Sequence, residues 1–143
     1  VYLDGDELRS AISEDLSHSE EDRHTSEKRR SRLCKLLSDQ EIYVICSGIS
    51  NVPEIRDWNK NNIKDYLEIY LKTTKETLYN RDPKGLYKKY LQGEITSIVG
   101  EDIKFNEPIS PWLEIDNNPE NKFDADFFID EVVSKLIKNN IIK

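Results

Sequence analysis

The sequence predicts an α/β fold in which a parallel sheet is flanked by helices. Apolar, β-branched runs of strand length alternate along the chain with longer stretches of helical period, an order typical of parallel sheets with right-handed crossovers. With 143 residues, of which 36% are hydrophobic and 34% are charged, the chain can bury one core. We therefore expect a single domain over residues 1–143.

The elements of the N-terminal half follow from local patterns. A strand is predicted for residues 1–3, and the β-branched run 42–46 is typical of a strand buried on both faces. The polar stretch 51–62 is interpreted as a helix or an irregular crossover. Between the strands, residues 27–38 are predicted to be helical, with an apolar face formed by Leu33, Leu36 and Leu37.

The C-terminal half continues the alternation. Strands are predicted for residues 66–71 and 112–115, and a short helix is predicted for 74–80. A closing amphipathic helix is expected over roughly residues 125–139. Its predicted N-cap is Asp124 or Asp126.

Composition excludes some classes of partner. The net charge of −7 and the isoelectric point near 4.9 argue against a nucleic-acid polymer. The sequence shows no apolar run of membrane-spanning length and no signal-peptide pattern, so we expect a cytoplasmic protein without a membrane partner. Cys34 and Cys46 lack the spacing of metal ligands and are predicted to be reduced core residues.

A dense basic segment stands out against this acidic background. Arg81, Lys84, Lys88 and Lys89 surround the flexible Gly85. A local cationic patch of this kind favours a small anionic ligand, and arginine and lysine supply the donors that phosphoryl oxygens need. The alternative is a solvated, charged loop.

A second motif lies at the start of the chain, where an apolar strand runs into Asp4, Gly5, Asp6 and Arg9. Ligand chemistry in α/β folds collects at the carboxyl ends of strands. Two carboxylates flanking a glycine can hold Mg²⁺ through its waters or accept a proton from an attacking hydroxyl. The same residues also make an ordinary turn.

The helix after the second motif carries polar residues at helical spacing. Arg23, Ser26 and either Arg29 or Arg30 are three or four residues apart, which predicts one face at the N-terminal end of the helix and a contact with substrate. The alternative is a solvated basic face, and we favour it for Arg32.

Together these motifs resemble the adenylylsulfate kinase family of P-loop kinases over roughly residues 1–111. The resemblance implies the P-loop kinase fold with a basic lid at roughly residues 79–104. The matching segments are Leu3-Asp4-Gly5-Asp6 with Arg9, Asp15-Leu16 with Ser19-Glu20-Glu21-Asp22-Arg23, Ile49-Ser50, the lid motif Arg81-Asp82-Pro83-Lys84-Gly85-Leu86-Tyr87, and Gly93-Glu94-Ile95, Gly100, Asp102 and Pro108.

The resemblance also implies a reaction, namely ATP-dependent phosphorylation of the 3′-hydroxyl of adenylylsulfate, with ATP and Mg²⁺ as cofactors. Asp6 matches the carboxylate that activates the hydroxyl, and Asp4 matches its neighbour near Mg²⁺, through water. Arg81 and Lys88 are implied on the ATP side of the lid. The residues implied to bind the acceptor nucleotide are Arg9, Arg23, Ser26, Arg29, Ile49, Ser50, Lys84, Gly85, Leu86 and Ile98.

The chain departs from the family pattern on the acceptor side. His18 and Ile98 replace two phenylalanines that sandwich the acceptor base, and each stacked aromatic is worth about 1–3 kcal/mol. Asn51-Val52-Pro53 stands where the family has Pro-Tyr-Arg. A second hypothesis is therefore a pyrimidine acceptor, cytidine diphosphoramidate, as used by relatives in capsule-synthesis clusters.

One family element is absent from this sequence. Its five glycines, at positions 5, 48, 85, 93 and 100, form no Gly-x-x-x-x-Gly-Lys-Ser/Thr motif. We expect the first strand, the P-loop and the first helix to be missing and the chain alone to be inactive. A non-catalytic, kinase-like regulatory module is a third hypothesis. Trp58 is interpreted as a partly buried residue or as part of a dimer face, which leaves a homodimer open.

Overall fold

A computed structural model describes residues 1–118 and 125–142. The chain divides into two compact units. Residues 1–66 and 93–109 form one of them, here called the site unit. Residues 67–92 together with the segment that begins at residue 110 form the other, here called the lid unit. Parallel strands alternate with helices in both, so the predicted α/β class is confirmed.

The site unit contains a two-stranded parallel sheet and three helices. Strand β1 (Tyr2–Leu3) pairs with β2 (Ile45–Cys46), Tyr2 lying opposite Ile45. The helices are α1 (Gly5–Ile12), α2 (Glu20–Ser38) and α3 (Pro53–Asn62). Their starts follow from sequence, because Asp4 and Ser19 are N-caps and proline opens α3.

The lid unit pairs β3 (Ile69–Lys72) with β4 (Leu113–Asp116) in parallel. The described part of this unit also contains the helices α4 (Lys75–Arg81), α5 (Leu86–Leu91) and α6 (Ala125–Lys138). In β4, Leu113 and Ile115 are buried whereas the residues between and after them are exposed, the alternation expected of a strand with one covered face. Among the described residues, every helix is too short or too polar to cross a membrane.

Helix α1 was not predicted, because Asp4-Gly5-Asp6 was interpreted as a strand end or a turn. The side chain of Asp4 accepts hydrogen bonds from the backbone N–H groups of Asp6 and Glu7, which have no partner within the helix, and so caps its N-terminus. Helix α2 begins at Glu20, seven residues before the predicted start at residue 27, and helix α5 was also missed. Asp126 lies inside the first turn of α6, and Asp124 lies outside the described residues.

The predicted burial of the strand at residues 42–46 is wrong. Only Ile45 and Cys46 form β2, and Ile45 is 69% exposed, since β1 alone pairs with this strand in the described part of the chain. Cys46 is likewise exposed rather than part of a core, while Cys34 is half-buried. Leu36 of the predicted apolar face of α2 is 58% exposed, so that face is narrower than the leucine pattern indicated.

Candidate functional site

The carboxylate of Asp4 is fixed by four hydrogen bonds at the carboxyl end of β1. Its Oδ1 accepts from the backbone N–H groups of Asp6 (2.9 Å) and Glu7 (3.3 Å). Its Oδ2 accepts from the hydroxyls of Tyr2 and Ser47, each at 3.2 Å. The backbone bond from Asp6 is the largest of the effects that hold the pKa of Asp4 below its usual value. Asp4 is therefore ionised at neutral pH and already well supplied with donors.

Asp6 occupies a different environment only two residues later. It is exposed and lies in the first turn of α1, at the end where the helix dipole favours negative charge. The chain thus presents one anchored and one exposed carboxylate beside each other. Asp6 can contact a substrate without breaking the hydrogen bonds by which Asp4 caps α1.

Gly5 lets the end of β2 approach the start of α1. A Cβ at Gly5 would lie 2.8 Å from the Ser47 carbonyl oxygen and 3.2 Å from the Gly48 Cα. A Cβ at Gly48, whose φ is +151°, would meet Nη1 of Arg30. Arg30 also donates from Nη2 to the Ile49 carbonyl at 3.0 Å. The segment that leads into Ile49 and Ser50 therefore lies directly beside Asp4 and Gly5.

Arg9 and Arg23 hold the loop that carries His18. Arg9 Nη2 donates to the carbonyls of Leu16 (3.1 Å) and Ser17, and Arg23 Nε donates to the His18 carbonyl at 3.0 Å. Burial is the main cause of a lowered Arg23 pKa, and the positive charge of Arg9 lowers it further. Two guanidinium groups close enough to affect each other form a local positive field that favours a bound anion.

Arg23 also contacts the segment next to Ile98, the second residue that is predicted to face the acceptor base. Its Nη2 donates to the Ser97 carbonyl at 2.8 Å, and the Asp102 carboxylate accepts from the N–H groups of Ser97 and Ile98, each at 2.6 Å. One guanidinium therefore ties the backbone at His18 to the backbone next to Ile98. Burial, then the charges of Arg9 and Arg23, lower the pKa of His18, so its imidazole is neutral near pH 7 and can stack on a base.

Two other residues that are predicted to bind the acceptor nucleotide contact the end of α1 instead. Ser26 donates to the hydroxyl of Ser13 at 3.2 Å. Arg29 pairs with Asp15 at 2.5 and 2.8 Å and donates to the Ile12 carbonyl at 2.8 Å. These bonds explain how α1 and α2 pack, and acceptor binding by Ser26 and Arg29 stays a prediction.

The basic part of the predicted lid, which contains Arg81, Lys84, Gly85, Leu86 and Lys88, lies in the lid unit, whereas residues 93–104 of the predicted lid segment belong to the site unit. Arg81 ends α4, and Gly85, at φ +66°, precedes α5. This left-handed backbone favours glycine. Lys84, Leu86 and Lys88 are exposed, so this unit presents a cationic surface around a glycine turn.

A carboxylate and two aromatic rings give that turn its shape. Asp82 accepts from the backbone N–H groups of Tyr87 (3.3 Å) and Lys88 (3.0 Å) and so caps α5. The rings of Tyr79 and Tyr87 lie with their centroids 4.8 Å apart, a spacing typical of aromatic pairs. The lid segment is therefore organised by its own residues.

The described residues do not form a complete Mg²⁺ site. They contain no group of three or more His, Cys, Asp or Glu side chains able to hold a metal ion. Both oxygens of Asp4 already accept two hydrogen bonds each. Contact between Asp4 and Mg²⁺ through water stays a prediction from the motif.

Sequence reasoning missed two residues that shape the site, Ser47 and Glu27. Ser47 follows β2 in the way that Asp4 follows β1, so its place at the strand end could have indicated it. Glu27 lies four residues after Arg23 on α2, and this helical spacing was the only available signal.

Comparisons with known proteins agree with this architecture. A family model described as adenylylsulphate kinase matches residues 1–116. The chain is 38% identical over 138 residues to a cytidine diphosphoramidate kinase of Campylobacter jejuni, covering 96% of this chain and 76% of that protein. It is 35% identical over 143 residues to an adenylyl-sulfate kinase of Prochlorococcus marinus, covering 99% of this chain and 70% of that protein.

A solved structure gives the same result. The adenylylsulfate kinase CysC of Mycobacterium tuberculosis, in complex with AMPPNP and adenylylsulfate, superposes with a TM-score of 0.83 at 34% identity. The match covers 94% of this chain and 78% of that one. The predicted kinase fold is thereby confirmed. The chain belongs to the adenylylsulfate kinase family, a family of phosphotransferases that act on a hydroxyl group of a small nucleotide.

Proposed function

We propose that the gene product containing this chain transfers the γ-phosphoryl group of ATP to a hydroxyl of a small acceptor nucleotide. The observation that carries the proposal is the pair Asp4 and Asp6 at the start of α1, one fixed and one exposed, in the same unit as the two arginines that hold the His18 loop. A base for the hydroxyl and cations for an acceptor phosphate are what this reaction needs from the acceptor side.

The residues take separate roles in this mechanism. Asp6 accepts the proton as the acceptor hydroxyl oxygen forms its bond to the γ-phosphorus and the bond to the ADP oxygen breaks. Arg9 and Arg23 bind the acceptor phosphate, and Ile49 and Ser50 contact the acceptor. Catalysis comes from positioning and from neutralising charge.

The lid residues act on both substrates in this proposal. Lys84, Gly85 and Leu86 close over the acceptor, and Arg81 and Lys88 bind on the ATP side. Closure excludes water that would otherwise hydrolyse ATP. When bound, Mg²⁺ would neutralise charge on the phosphates.

The acceptor that the base position favours is cytidine diphosphoramidate. His18 offers one aromatic ring and Ile98 one aliphatic side chain, and both backbones are held through Arg23. A single ring and a short aliphatic wall suit a pyrimidine better than a sandwiched purine. The similarity to the Campylobacter enzyme of that name supports the same acceptor, and capsule synthesis is the pathway this would imply.

Adenylylsulfate is the second candidate acceptor. The family model and the Prochlorococcus relative carry its name, and His18 alone can stack on adenine. Sulfate assimilation would then be the pathway.

The test is ATP-dependent ADP release by the gene product that contains this chain, with each acceptor supplied separately and Asp6→Asn as the control. We expect turnover with cytidine diphosphoramidate that Asp6→Asn reduces at least about a hundredfold. Turnover with adenylylsulfate alone would overturn the acceptor assignment but keep the reaction. No turnover above Asp6→Asn with either acceptor would favour a non-catalytic, kinase-like module.

A further inference from the structure

We propose that Glu27 is a positioning residue that sets where the acceptor-contacting segment 49–52 lies. The inference rests on the function proposed above and adds to it a residue from the middle of α2 that no sequence motif indicated. Glu27 is 5% exposed, so its carboxylate acts through neighbouring groups rather than by touching substrate.

The two carboxylate oxygens of Glu27 bind two consecutive backbone amides. Oε1 accepts from the Asn51 N–H at 2.9 Å, and Oε2 accepts from the Val52 N–H at 3.2 Å. A carboxylate that uses both oxygens in this way fixes the orientation of the peptide planes as well as their distance. Proline, which the family pattern has at position 51, carries no N–H and could not take part.

Arginines hold the same segment by its carbonyls. Arg30 donates to the Ile49 carbonyl at 3.0 Å, and Arg56 donates to the Ser50 carbonyl at 2.6 Å. Glu27 and these two arginines therefore bind four successive residues through their backbone. The side chains of Ile49 and Ser50 take no part in these bonds.

The side chain of Asn51 adds hydrogen bonds between this segment and residues 104–106. Its Nδ2 donates to the Lys104 carbonyl at 2.8 Å, and its Oδ1 accepts from the Asn106 N–H at 2.8 Å. Asn106 in turn donates to the Asn51 carbonyl at 3.0 Å. Glu27, Asn51 and Asn106 also line one cavity of about 280 Å³ together with Arg23. The residues that hold the segment 49–52 therefore lie beside the arginine that is proposed to bind the acceptor phosphate.

Arg23 and Glu27 lie on the same helix, and this links two parts of the proposed acceptor site. Arg23 and Glu27 lie one turn apart on α2, and Arg23 holds the His18 loop while Glu27 holds the segment with Ser50. The helix therefore fixes the distance between two parts of the acceptor site. Loss of the Glu27 bonds should alter acceptor binding and leave ATP binding unchanged.

The test compares Glu27→Gln with the matched control Glu21→Gln, which changes an exposed residue on the same helix. Glutamine keeps the shape of glutamate, but only its oxygen can accept, and its NH₂ would face the other backbone N–H. In the gene product that contains this chain, we expect Glu27→Gln to raise the acceptor KM about tenfold, the KM for ATP and kcat changing less than about twofold. Glu21→Gln should leave all three unchanged.

Amide hydrogen exchange provides the second measurement. Exchange in the peptide that covers residues 49–53 should become faster in Glu27→Gln and not in Glu21→Gln. If Glu27→Gln does not fold, Glu27→Asp, which keeps the charge but shortens the reach, serves for both measurements with the same expectation.

The outcomes separate this inference from the function on which it rests. A wild-type protein without turnover overturns the proposed function and this inference with it. An active wild-type protein whose Glu27 variant keeps both the acceptor KM and the exchange rate overturns the inference alone. Equal increases in the KM for acceptor and for ATP would indicate a general structural role and would also overturn it.

Discussion

Gly5 should not tolerate even the smallest side chain, although it lies in a helix. Alanine is the better helix former by about 1 kcal/mol in a helix interior, so propensity alone predicts that Gly5→Ala stabilises the protein. The structure predicts the opposite. The added Cβ would lie 2.8 Å from the Ser47 carbonyl oxygen and 3.2 Å from the Gly48 Cα, and both are backbone atoms that cannot rotate away.

The magnitude follows from setting these two effects against each other. Overpacking that forces a backbone shift costs about 1–3 kcal/mol, which exceeds the propensity gain. We therefore expect Gly5→Ala to lower the free energy of unfolding by about 1–2 kcal/mol, with a fall in Tm of several degrees. The displaced Ser47 would also lose its bond to Asp4, so turnover should fall as well.

Urea denaturation followed by far-UV circular dichroism measures the effect. Ser10→Ala, at an exposed position of the same helix, is the matched control and should stabilise by up to about 0.5 kcal/mol. A Gly5→Ala protein as stable as the wild type, or more stable, would show that the end of β2 does not lie against α1 as described.

Three further predictions concern side chains of the site unit. Arg23→Gln should raise the acceptor KM about tenfold or more, because a cation and two carbonyl contacts are lost; steady-state kinetics with an unchanged KM would contradict its role. Cys46 is exposed and its pKa is lowered to about 7 by the hydrogen bond from Cys34, so limited iodoacetamide treatment near neutral pH should label Cys46 first, and mass spectrometry showing Cys34 labelled first would refute this. Burial raises the pKa of Glu27 above its usual value, so the folded state binds its proton more readily; its contribution to stability is greatest below the usual value and is lost as pH rises through the raised pKa. Denaturation at several pH values should show this fall in the wild type and not in Glu27→Gln. The charged groups that offset the burial of Glu27 are Arg23, Arg30 and Arg56.

The motifs of the candidate site could be predicted from the sequence, but the residues that hold those motifs in place could not. The predicted acidic motif and the predicted basic segment each lie at the start of a helix, because capping and glycine preferences are local properties. Helix α1 could not be foreseen from apolar periodicity, since Leu8 is its only buried residue. Aspartate followed by glycine, which here caps and opens the helix, is also a frequent signal of a turn.

Burial was the weaker part of the prediction, because it depends on distant residues. Ile45 belongs to a β-branched run typical of a covered strand, yet it is 69% exposed, since among the strands that the structure describes only β1 pairs with β2. Glu27 shows the reverse, since a charged residue on a polar helix is buried by a segment 24 residues further along the chain. Its helical spacing from Arg23 is a local signal, but this spacing does not show that Glu27 is buried while neighbouring charged residues are solvated.

The double use of Asp4 affects how other members of the family should be interpreted. A carboxylate that starts a helix is retained for the sake of folding, even in a protein that no longer performs chemistry. Aspartate at position 4 is therefore a poor marker of an active enzyme. Asp6 is exposed, lies inside the helix that Asp4 caps, and carries the chemical role proposed above. Whether a related sequence encodes a working kinase should be judged first at position 6.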